Sequence, residues 1–357
     1  MKIVNVGDVL ISPESMAQAT ANFERYDEVR NFYFGPRDKE EFRMYARNME
    51  AQGSLCAPVP DEIMVEIADA DVLQVHMMVV PEKVFEIGKN LKIVASNRGG
   101  TENIDLKAAE KFGVPVITNP AHNANAVADY AVAMMLAETR NISRCHAAFE
   151  KSRTWLEVFP NSGKIYEMKS KVIGLVGFGS IAHLVAHKLI HGFGCRVVAT
   201  DPFVNAQQMA AEGVEKMELT ELLAIADIVS LHMRVTPETK GIINAQTLKL
   251  MKPEAVLINT ARSGLIDTEA LIHALQHKQI MGAALDVFDV EPLPQNSPLL
   301  DLDNVTLTTH QAGVTVNAFD ESPGMVLHEI ERYFAGETPR FLKTSSATLH
   351  RREGRAL

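Results

Sequence analysis

A glycine-rich segment with the sequence GLVGFGSIA, residues 174–182, constrains the fold of this chain more than any other part of it. It overlaps the apolar run KVIGLV, which is typical of a buried strand. It leads into SIAHLVAHKLI, a run with helical spacing that we expect to end at Gly192. Gly177, Gly179 and Ala182 fit the pattern G-x-G-x-x-G/A at this junction. In that pattern the first glycine permits a tight turn, the second lets phosphate oxygens approach the backbone, and the small third residue lets the helix pack on the strand.

The segment therefore predicts a loop that binds the pyrophosphate of a dinucleotide at a helix N-terminus. Asp201 ends the next predicted strand, in VVATDP, where its carboxylate would accept hydrogen bonds from both ribose hydroxyls and repel a 2′-phosphate. The order of strand, helix, second strand and acid predicts NAD, in preference to NADP, as the cofactor. The alternatives are a glycine turn with a structural role only, and an Asp201 that merely forms a turn before Pro202.

Alternating strand-like and helix-like runs continue from Lys171 onward. The predicted strands are KVIGLV, CRVVAT, DIVSLHM, AVLIN, GAALDV and VTLTT. Between them lie the predicted helices TELLAIA, NAQTLKLM and DTEALIHALQH, the last two opened by a capping Asn or Asp. Strands that alternate with helices in this way predict a doubly wound parallel sheet.

The region before Lys171 is also α/β in character. Its predicted strands are KIVNV, VLQVHMM, KIVAS and VPVIT, separated by polar segments that are compatible with helices. Residues 124–140 predict a long helix that joins the two halves, and residues 318–333 predict a further helix. The segment SSATLHRREGRAL, residues 345–357, has little apolar content, which predicts a loose tail.

Composition and charge exclude several classes of protein. The chain has 357 residues, 46% of them hydrophobic, which is enough to form the cores of two domains. With 35 basic and 45 acidic residues, its net charge of -10 argues against a nucleic-acid-binding surface. No apolar run approaches the ~20 residues that a membrane helix needs. Cys56, Cys145 and Cys195 are widely spaced, which predicts reduced thiols in a cytoplasmic protein.

Three histidines recur at every fourth position of the helix that follows the glycine-rich segment. His183, His187 and His191 could suggest a metal-binding face, but they lie away from the apolar stripe and no acidic ligand accompanies them in the sequence. We therefore expect a solvated helix face and no metal site.

Three short stretches at the ends of predicted strands carry candidate catalytic side chains. INTARSG contains Arg262, ALDVFDVEP contains Glu291, and LTTHQAG contains His310. Because the carboxyl ends of parallel strands face one crevice, these residues can converge there. An Arg suits a carboxylate or carbonyl oxygen, a His transfers a proton, and a Glu orients the ring and stabilises imidazolium. With a nicotinamide alongside, the set suits hydride transfer; alternatively, each residue has an ordinary loop or surface role.

The same stretches resemble the D-2-hydroxyacid dehydrogenase family, which includes 3-phosphoglycerate dehydrogenase, glyoxylate/hydroxypyruvate reductase and D-lactate dehydrogenase. The resemblance is strongest from Ile93 to Phe334 and covers several motifs in family order. These are SNRGGTENIDL, NPAHNANAVADYAVAMML, TDPFV, LHMRVTPETKGIIN, INTARSGLID, AALDVFDVEP and THQAG. The Glu at position 291 argues against the related formate dehydrogenases, which have Gln there.

The resemblance implies a role for each matching position. Arg262 would bind the substrate carboxylate and carbonyl oxygen, His310 would be the acid/base, and Glu291 would be its partner. The other implied contacts are Asp286 at the nicotinamide side of the cofactor, Met233 and Thr260 along the cofactor, Ser180 and Ile181 at its pyrophosphate, and the amides of Gly100 and Thr101 at the substrate carboxylate.

The resemblance also implies the domain organisation and the partners. A Rossmann domain for NAD, residues 119–313, would be inserted in a smaller flavodoxin-like α/β domain for substrate, residues 1–118 and 314–357, with the active site in the cleft between them. The partners would be a small 2-hydroxyacid or 2-ketoacid and a second copy of the chain. Trp155 falls where the family has an arm that packs on a partner subunit; core burial is the alternative for this residue.

The substrate loop departs from the family pattern, which commonly has a small residue where this chain has Arg98. We expect Arg98 to recognise a second polar or anionic group, as on a sugar acid or a phosphorylated hydroxyacid. The alternative is an Arg that points to solvent or pairs with Glu102.

Two other functions are compatible with these motifs. The family resembles NAD-sensing corepressors, which keep the fold for partner recognition, and phosphite oxidation uses a related triad. The intact set of Arg262, Glu291 and His310 favours the enzyme, and no appended interaction region is evident.

Overall fold

The chain divides into two compact units in a computed structural model that describes residues 1–350. The first unit is Met1–Asn123 with the chain from Thr315 onward, and the second is Ala124–Val314. Each unit contains a parallel sheet with helices, which confirms the predicted fold class. The domain boundaries expected from the sequence, after residues 118 and 313, differ from these unit limits by one to five residues and stay predictions.

The first unit has a five-stranded parallel sheet in the order β2-β1-β3-β4-β5, which is the flavodoxin-like order. Its strands are β1 (Lys2–Gly7), β2 (Glu28–Tyr33), β3 (Val72–Val75), β4 (Ile93–Ser96) and β5 (Val116–Ile117). All six residues of β1 are buried, as expected for a strand that is covered on both faces. The edge strand β2 was absent from the sequence prediction because three of the six residues in its sequence, EVRNFY, are polar and none is fully buried.

The helices of the first unit that precede the second unit are short. They are α1 (Pro13–Thr20), α2 (Lys39–Gln52), α3 (Asp61–Ile67), α4 (Glu82–Ile87) and α5 (Leu106–Phe112). Ser12, Asp38 and Asp105 accept hydrogen bonds from backbone N–H groups in the first turns of α1, α2 and α5. These side chains satisfy N–H groups that have no partner within the helix.

The second unit has a seven-stranded parallel sheet in the order β12-β11-β10-β9-β6-β7-β8. Its strands are β6 (Val172–Val176), β7 (Arg196–Thr200), β8 (Glu215–Lys216), β9 (Ile228–Leu231), β10 (Val256–Asn259), β11 (Gly282–Leu285) and β12 (Val305–Leu307). Read from β8, this is the Rossmann order with one added strand. The six predicted strands are all present; β8, with two residues at the edge, is too short to give a periodic signal.

The helices of the second unit confirm the predicted elements and correct one boundary. They are α6 (Ala124–Thr139), α7 (Ile142–Ser152), α8 (Ser180–Phe193), α9 (Ala206–Ala211), α10 (Leu219–Ile225), α11 (Ala245–Leu248) and α12 (Thr268–Gln276). The expectation that α8 ends at Gly192 was wrong, because Gly192 lies inside the helix. Gly194 ends it instead, in the left-handed conformation at φ 67°, with its N–H bonded to the carbonyl of Ile190.

Three further helices belong to the first unit: α13 (Val316–Asp320), α14 (Ser322–Phe334) and α15 (Ala347–His350). The single helix predicted over residues 318–333 is therefore two, and Pro323 lies in the first turn of α14. The prediction of a loose tail was also wrong for the first part of that segment, since Thr348 is buried and hydrogen-bonded to Thr344. Its last part, residues 351–357, lies outside the described residues. Single 3₁₀ turns occur at Gly53–Leu55, Met168–Ser170, Ser263–Leu265 and Pro298–Asp301.

Candidate active site

The glycine-rich loop joins β6 to α8 and has the geometry of an anion-binding turn. Gly177 has φ 94°, and a Cβ at this position would lie 2.8 Å from the carbonyl oxygen of His232. Only glycine fits there without displacing backbone. Gly179 caps α8, and no atom lies within 4 Å of the place where its Cβ would be. The backbone N–H groups at the start of α8, around Ser180 and Ile181, are therefore open to a phosphate, while Ala182 is buried against the sheet.

Asp201 follows β7 and ties this strand to the loop. Its Oδ2 accepts a hydrogen bond of 2.8 Å from the N–H of Phe178. Its Oδ1 accepts from the N–H groups of Phe203 and Val204, at 2.8 and 3.1 Å. A carboxylate has about four acceptor positions, so one remains for a ribose hydroxyl. The turn that sequence analysis offered as an alternative role is therefore present, and it leaves room for cofactor binding.

Two further residues of the predicted cofactor set lie near this loop or at a neighbouring strand end. A Cβ on Gly177 would lie 3.0 Å from the backbone N atom of Met233, so the backbone of Met233 packs against the glycine-rich loop. Thr260 directly follows β10 and is buried, and its Oγ1 has no hydrogen-bond partner among the described residues. Such an orphaned hydroxyl is costly unless a ligand or water satisfies it. The open helix N-terminus, the glycine turn and this hydroxyl together fit a dinucleotide.

Arg262 lies in the segment after β10, and Asn259 shapes that segment. The side chain of Arg262 is exposed, with one hydrogen bond of 2.7 Å from Nη1 to the carbonyl of Ala261. Asn259 is buried; its Oδ1 accepts from the N–H of Ala261 and its Nδ2 donates to the carbonyl of Arg262. Sequence analysis missed Asn259, although a polar residue that ends an apolar strand was the available signal.

His310 and Glu291 are in direct contact. Nδ1 of His310 lies 2.7 Å from Oε2 of Glu291, and Oε1 of Glu291 accepts from the N–H of Phe288 at 2.9 Å. His310 has a left-handed backbone with φ 57°, a conformation that is uncommon outside glycine. Burial raises the pKa of Glu291, but the hydrogen bonds from His310 and Phe288 and the nearby positive charges of His310 and Arg262 outweigh burial and lower it. His310 and Glu291 are therefore paired, and the positive charge of Arg262 acts on the same carboxylate.

Asp286 directly follows β11 and holds the segment that carries His310. The carboxylate is completely buried and accepts from the hydroxyl of Thr308 at 2.7 Å. It also accepts from the N–H groups of Gln311 and Ala312, at 3.0 and 2.9 Å. These three bonds flank His310 on both sides. The family resemblance implied a contact between Asp286 and the cofactor, whereas the contacts observed here position the loop.

The substrate loop predicted in the first unit follows β4. Nη2 of Arg98 lies 3.0 Å from Oε1 of Glu50 and 3.3 Å from Oε2 of Glu102. The pairing with Glu102 is the alternative that sequence analysis offered, and the contact with Glu50 was not foreseen. Gly100 and Thr101 are half-buried, and the carbonyl of Thr101 accepts from the N–H of Ile104 at 2.9 Å.

The histidines of α8 do not converge on one point. His183 packs its ring against Phe178 and lies 3.4 Å from Glu212, whereas the rings of His187 and His191 contact each other at 4.5 Å. Within residues 1–350 we find no group of three or more His, Cys, Asp or Glu side chains that could hold a metal ion. The same residues include no helix with the length and hydropathy needed to cross a membrane.

Comparison with known proteins identifies similar chains. Residues 132–312 match a family model described as D-isomer specific 2-hydroxyacid dehydrogenase, NAD binding domain. D-3-phosphoglycerate dehydrogenase of Mycobacterium bovis is 36% identical over 281 residues, which are 78% of this chain and 52% of that protein. Glyoxylate reductase of Pyrococcus furiosus is 35% identical over 302 residues, which are 83% of this chain and 89% of that protein.

The fold is shared with solved structures. D-lactate dehydrogenase of Lactobacillus jensenii, crystallised with NAD+, superposes with a TM-score of 0.73 at 25% identity, covering 97% of this chain and 100% of that one. The chain spans about half the length of the phosphoglycerate dehydrogenases that it matches.

Proposed function

The chain belongs to the D-isomer specific 2-hydroxyacid dehydrogenase family, and on that premise we propose that it interconverts a D-2-hydroxyacid and the matching 2-ketoacid. Its cofactor is NAD. The observation that carries the proposal is the contact of 2.7 Å between His310 and Glu291, with Arg262 close enough to affect the pKa of the same carboxylate. An acid/base, its partner and a carboxylate-binding cation are what this reaction needs from a protein.

NAD, when bound, supplies or accepts the hydride in this chemistry. The residues that would hold it are Gly177, Gly179, Ser180, Ile181, Asp201, Met233 and Thr260. The turn at Gly177, the open start of α8 and the unpaired hydroxyl of Thr260 support this assignment. The negative charge of Asp201 opposes a 2′-phosphate, which supports NAD over NADP.

The proton is moved by His310. For reduction, Nε2 of the imidazolium donates its proton to the carbonyl oxygen of the substrate. Glu291 stabilises the imidazolium and accepts a hydrogen bond from its Nδ1. For oxidation, Nε2 of the neutral ring takes the hydroxyl proton. Arg262 binds the substrate carboxylate and carbonyl oxygen, so it stabilises the negative charge that develops on that oxygen. Asn259 and Asp286 act through these residues, by fixing the segments on which Arg262 and His310 lie.

The substrate contacts in the first unit are also part of the proposal. The amides near Gly100 and Thr101 bind the substrate carboxylate, and Arg98 contributes to recognition of a polar substrate such as a sugar acid or a phosphorylated hydroxyacid. The names of the relatives, which include a phosphoglycerate dehydrogenase and a glyoxylate reductase, support this range.

The proposed assembly is a homodimer in the cytoplasm. Trp155, Leu156 and Val158 are 75%, 40% and 79% exposed, on a segment after α7 where the ring of Trp155 contacts that of Phe149. Such an apolar segment is typical of a subunit contact, and core burial of Trp155, the alternative from the sequence, was wrong for this chain by itself. Free thiols at Cys56, Cys145 and Cys195 support a reducing compartment.

The test is oxidation of NADH, followed at 340 nm, with 2-ketoacids from glyoxylate and pyruvate to hydroxypyruvate, 2-keto sugar acids and phosphohydroxypyruvate. Turnover that His310→Gln lowers by at least ~10³-fold supports the proposal. Tight NADH binding without turnover of any ketoacid would instead favour an NAD sensor, and turnover of phosphite alone would favour phosphite oxidation. Sedimentation at several concentrations tests the dimer.

A further inference from the structure

The sheet of the first unit has one topological switch point. In the order β2-β1-β3-β4-β5, the strand order reverses between β1 and β3. In open parallel sheets, ligands bind beyond the carboxyl ends of the strands at this position. The residues that directly follow these two strands are Asp8 and His76. No part of the mechanism above uses either of them.

Asp8 and His76 form a buried pair whose ring orientation is fixed. Nδ1 of His76 lies 2.8 Å from Oδ2 of Asp8, and their side chains are 4% and 1% exposed. The carboxylate also accepts from the N–H groups of Leu10, Ile11 and Met77, at 2.9, 3.2 and 3.2 Å. The carboxylate of Asp8 accepts four hydrogen bonds in all. Because a carboxylate only accepts, Nδ1 of His76 is the donor in the bond between them. Its Nε2 then stays available for a ligand.

The surroundings of His76 lead toward the substrate loop. Its ring contacts Phe319 of α13 edge to face at 6.3 Å, and Phe319 is half-buried. Asn103, within the substrate loop, donates from Nδ2 to the backbone carbonyl of His76 at 3.3 Å. His76 therefore lies directly beside this loop.

The charge at this edge does not favour a second anion. The guanidinium of Arg98 is 12% exposed and already lies between the carboxylates of Glu50 and Glu102. Asp8 adds a carboxylate beside His76. A phosphate brought to this edge would have to displace one of these carboxylates from Arg98, whereas a neutral hydroxyl would not.

We propose that the pair formed by Asp8 and His76 determines substrate specificity, with Nε2 of His76 hydrogen-bonded to an uncharged hydroxyl on C3 of the hydroxyacid. A hydroxyl suits this position because it donates to a neutral Nε2 and accepts from a protonated one. The inference rests on the proposed function and selects, within its substrate range, acids with a hydroxylated and unphosphorylated side chain.

The test compares binding of D-glycerate and D-lactate, which differ only in the C3 hydroxyl, to the full chain saturated with NADH. Calorimetry should give D-glycerate about tenfold the affinity of D-lactate, since an unmade hydrogen bond at a buried polar group costs about that factor. His76→Leu should bring the ratio close to one, and His76→Gln, which keeps a polar end, should restore part of it. His146→Leu, which removes an exposed imidazole beside Glu150, should leave the ratio as in the wild type.

Three results would overturn the inference: equal affinity for the two acids in the wild type, a ratio that His76→Leu leaves intact, or tighter binding of 3-phospho-D-glycerate than of D-glycerate. Because these experiments measure binding, their outcome does not depend on the outcome of the turnover assay for the proposed function. A preference for D-glycerate that depends on His76, found without turnover of any ketoacid, would support the specificity site and contradict the proposed dehydrogenase activity. Near-ultraviolet circular dichroism on each variant shows whether the buried pair can be changed without loss of the fold.

Discussion

His310 and Glu291 join the segments that follow two neighbouring strands of the second sheet, β12 and β11, through a contact of 2.7 Å between Nδ1 and Oε2. The same carboxylate is anchored on its other oxygen by the N–H of Phe288. The ring is thus held from one side only, with Nε2 directed away from its partner. A substitution of Glu291 should therefore also disturb the orientation and charge of His310.

Replacing Glu291 by Gln should move the alkaline limb of the pH profile for ketoacid reduction to lower pH, by up to about one unit. The reason is that reduction needs imidazolium at His310, and a neutral amide stabilises it less than a carboxylate. The measurement is kcat/KM for reduction between pH 5 and 9. Glu238→Gln, a change at an exposed acid of the same unit, is the matched control. A limb that stays in place would show that the pair does not act in proton transfer.

Replacing Asp286 by Ala should lower kcat more than it weakens NADH binding. The substitution removes three hydrogen bonds that flank His310, and a small displacement of an acid/base costs about 10- to 100-fold in rate. The free energy of unfolding should fall by about 2–4 kcal/mol, because two buried N–H groups and a hydroxyl lose their acceptor. Stopped-flow turnover and NADH fluorescence titration separate the two effects. If NADH affinity falls as much as kcat does, the residue acts mainly at the cofactor.

The elements that sequence analysis predicted correctly are those with a repeated apolar pattern or a strict local motif. The central strands of the second sheet, β6, β9, β10 and β11, are almost entirely buried and rich in Val, Ile, Leu and Ala, so their composition identifies them. The edge strand β2 was missed because half of its residues are polar, and β8 because two residues carry no period. The end of α8 was placed at the wrong glycine because both Gly192 and Gly194 suit a helix end, and only the packing of the chain selects between them.

The site was predictable to the extent that its residues end predicted strands. Arg262, Glu291 and His310 were chosen in that way, and the structure places His310 in contact with Glu291. The left-handed backbone of His310 has no signal in the sequence, since it depends on the three bonds that Asp286 makes around it. The pairing of Arg98 with Glu50 joins residues 48 positions apart, so it required the tertiary structure, whereas the pairing with Glu102 could be foreseen from the spacing of four.

Replacing Gly177 by Ala should weaken NADH binding by at least about tenfold and destabilise the chain by about 1–3 kcal/mol. A methyl group there would meet the carbonyl of His232 at 2.8 Å, and φ 94° is unfavourable for any residue with a Cβ. The control is Gly192→Ala, inside α8 with open space around it, which should stabilise by up to ~1 kcal/mol. Urea unfolding and NADH titration measure both. NADH binding that Gly177→Ala leaves intact would exclude this turn as the phosphate loop.

Replacing Asp201 by Ala should reduce the preference for NADH over NADPH by about tenfold or more, as a ratio of dissociation constants. Removing the carboxylate removes both the acceptor for one ribose hydroxyl and the repulsion of a 2′-phosphate. Because the N–H of Phe178 also loses its partner, NADH affinity itself should fall. Glu215→Gln, at an exposed position of β8, controls for a change in net charge. A ratio that does not change would mean that Asp201 has the turn role alone.

The strongest stability effect outside the site should come from Arg144→Ala. Glu138 is 2% exposed and its carboxylate contacts the guanidinium of Arg144 and the hydroxyl of Thr306. Burial raises the pKa of Glu138, and Arg144 and Thr306 oppose that rise. Without the guanidinium the buried carboxylate has no cation, so we expect a loss of about 3 kcal/mol in the free energy of unfolding at pH 7.

The pH dependence of this loss follows from the sign of the shift. A carboxyl whose folded-state pKa lies above its unfolded value loses stability as pH rises from the unfolded pKa through the folded one. The cost of Arg144→Ala should therefore be large at neutral pH and shrink as pH falls toward the ordinary Glu value of 4.5, where Glu138 is protonated and needs no cation. Urea unfolding at pH 7 and pH 4.5 measures it, with Lys169→Ala, from an exposed pair with Glu167, as the control. A cost that is the same at both pH values would mean that the loss comes from the other hydrogen bonds of Arg144, to the backbone carbonyls of Glu138 and Asp303 and to Oδ1 of Asn141, and not from the ion pair.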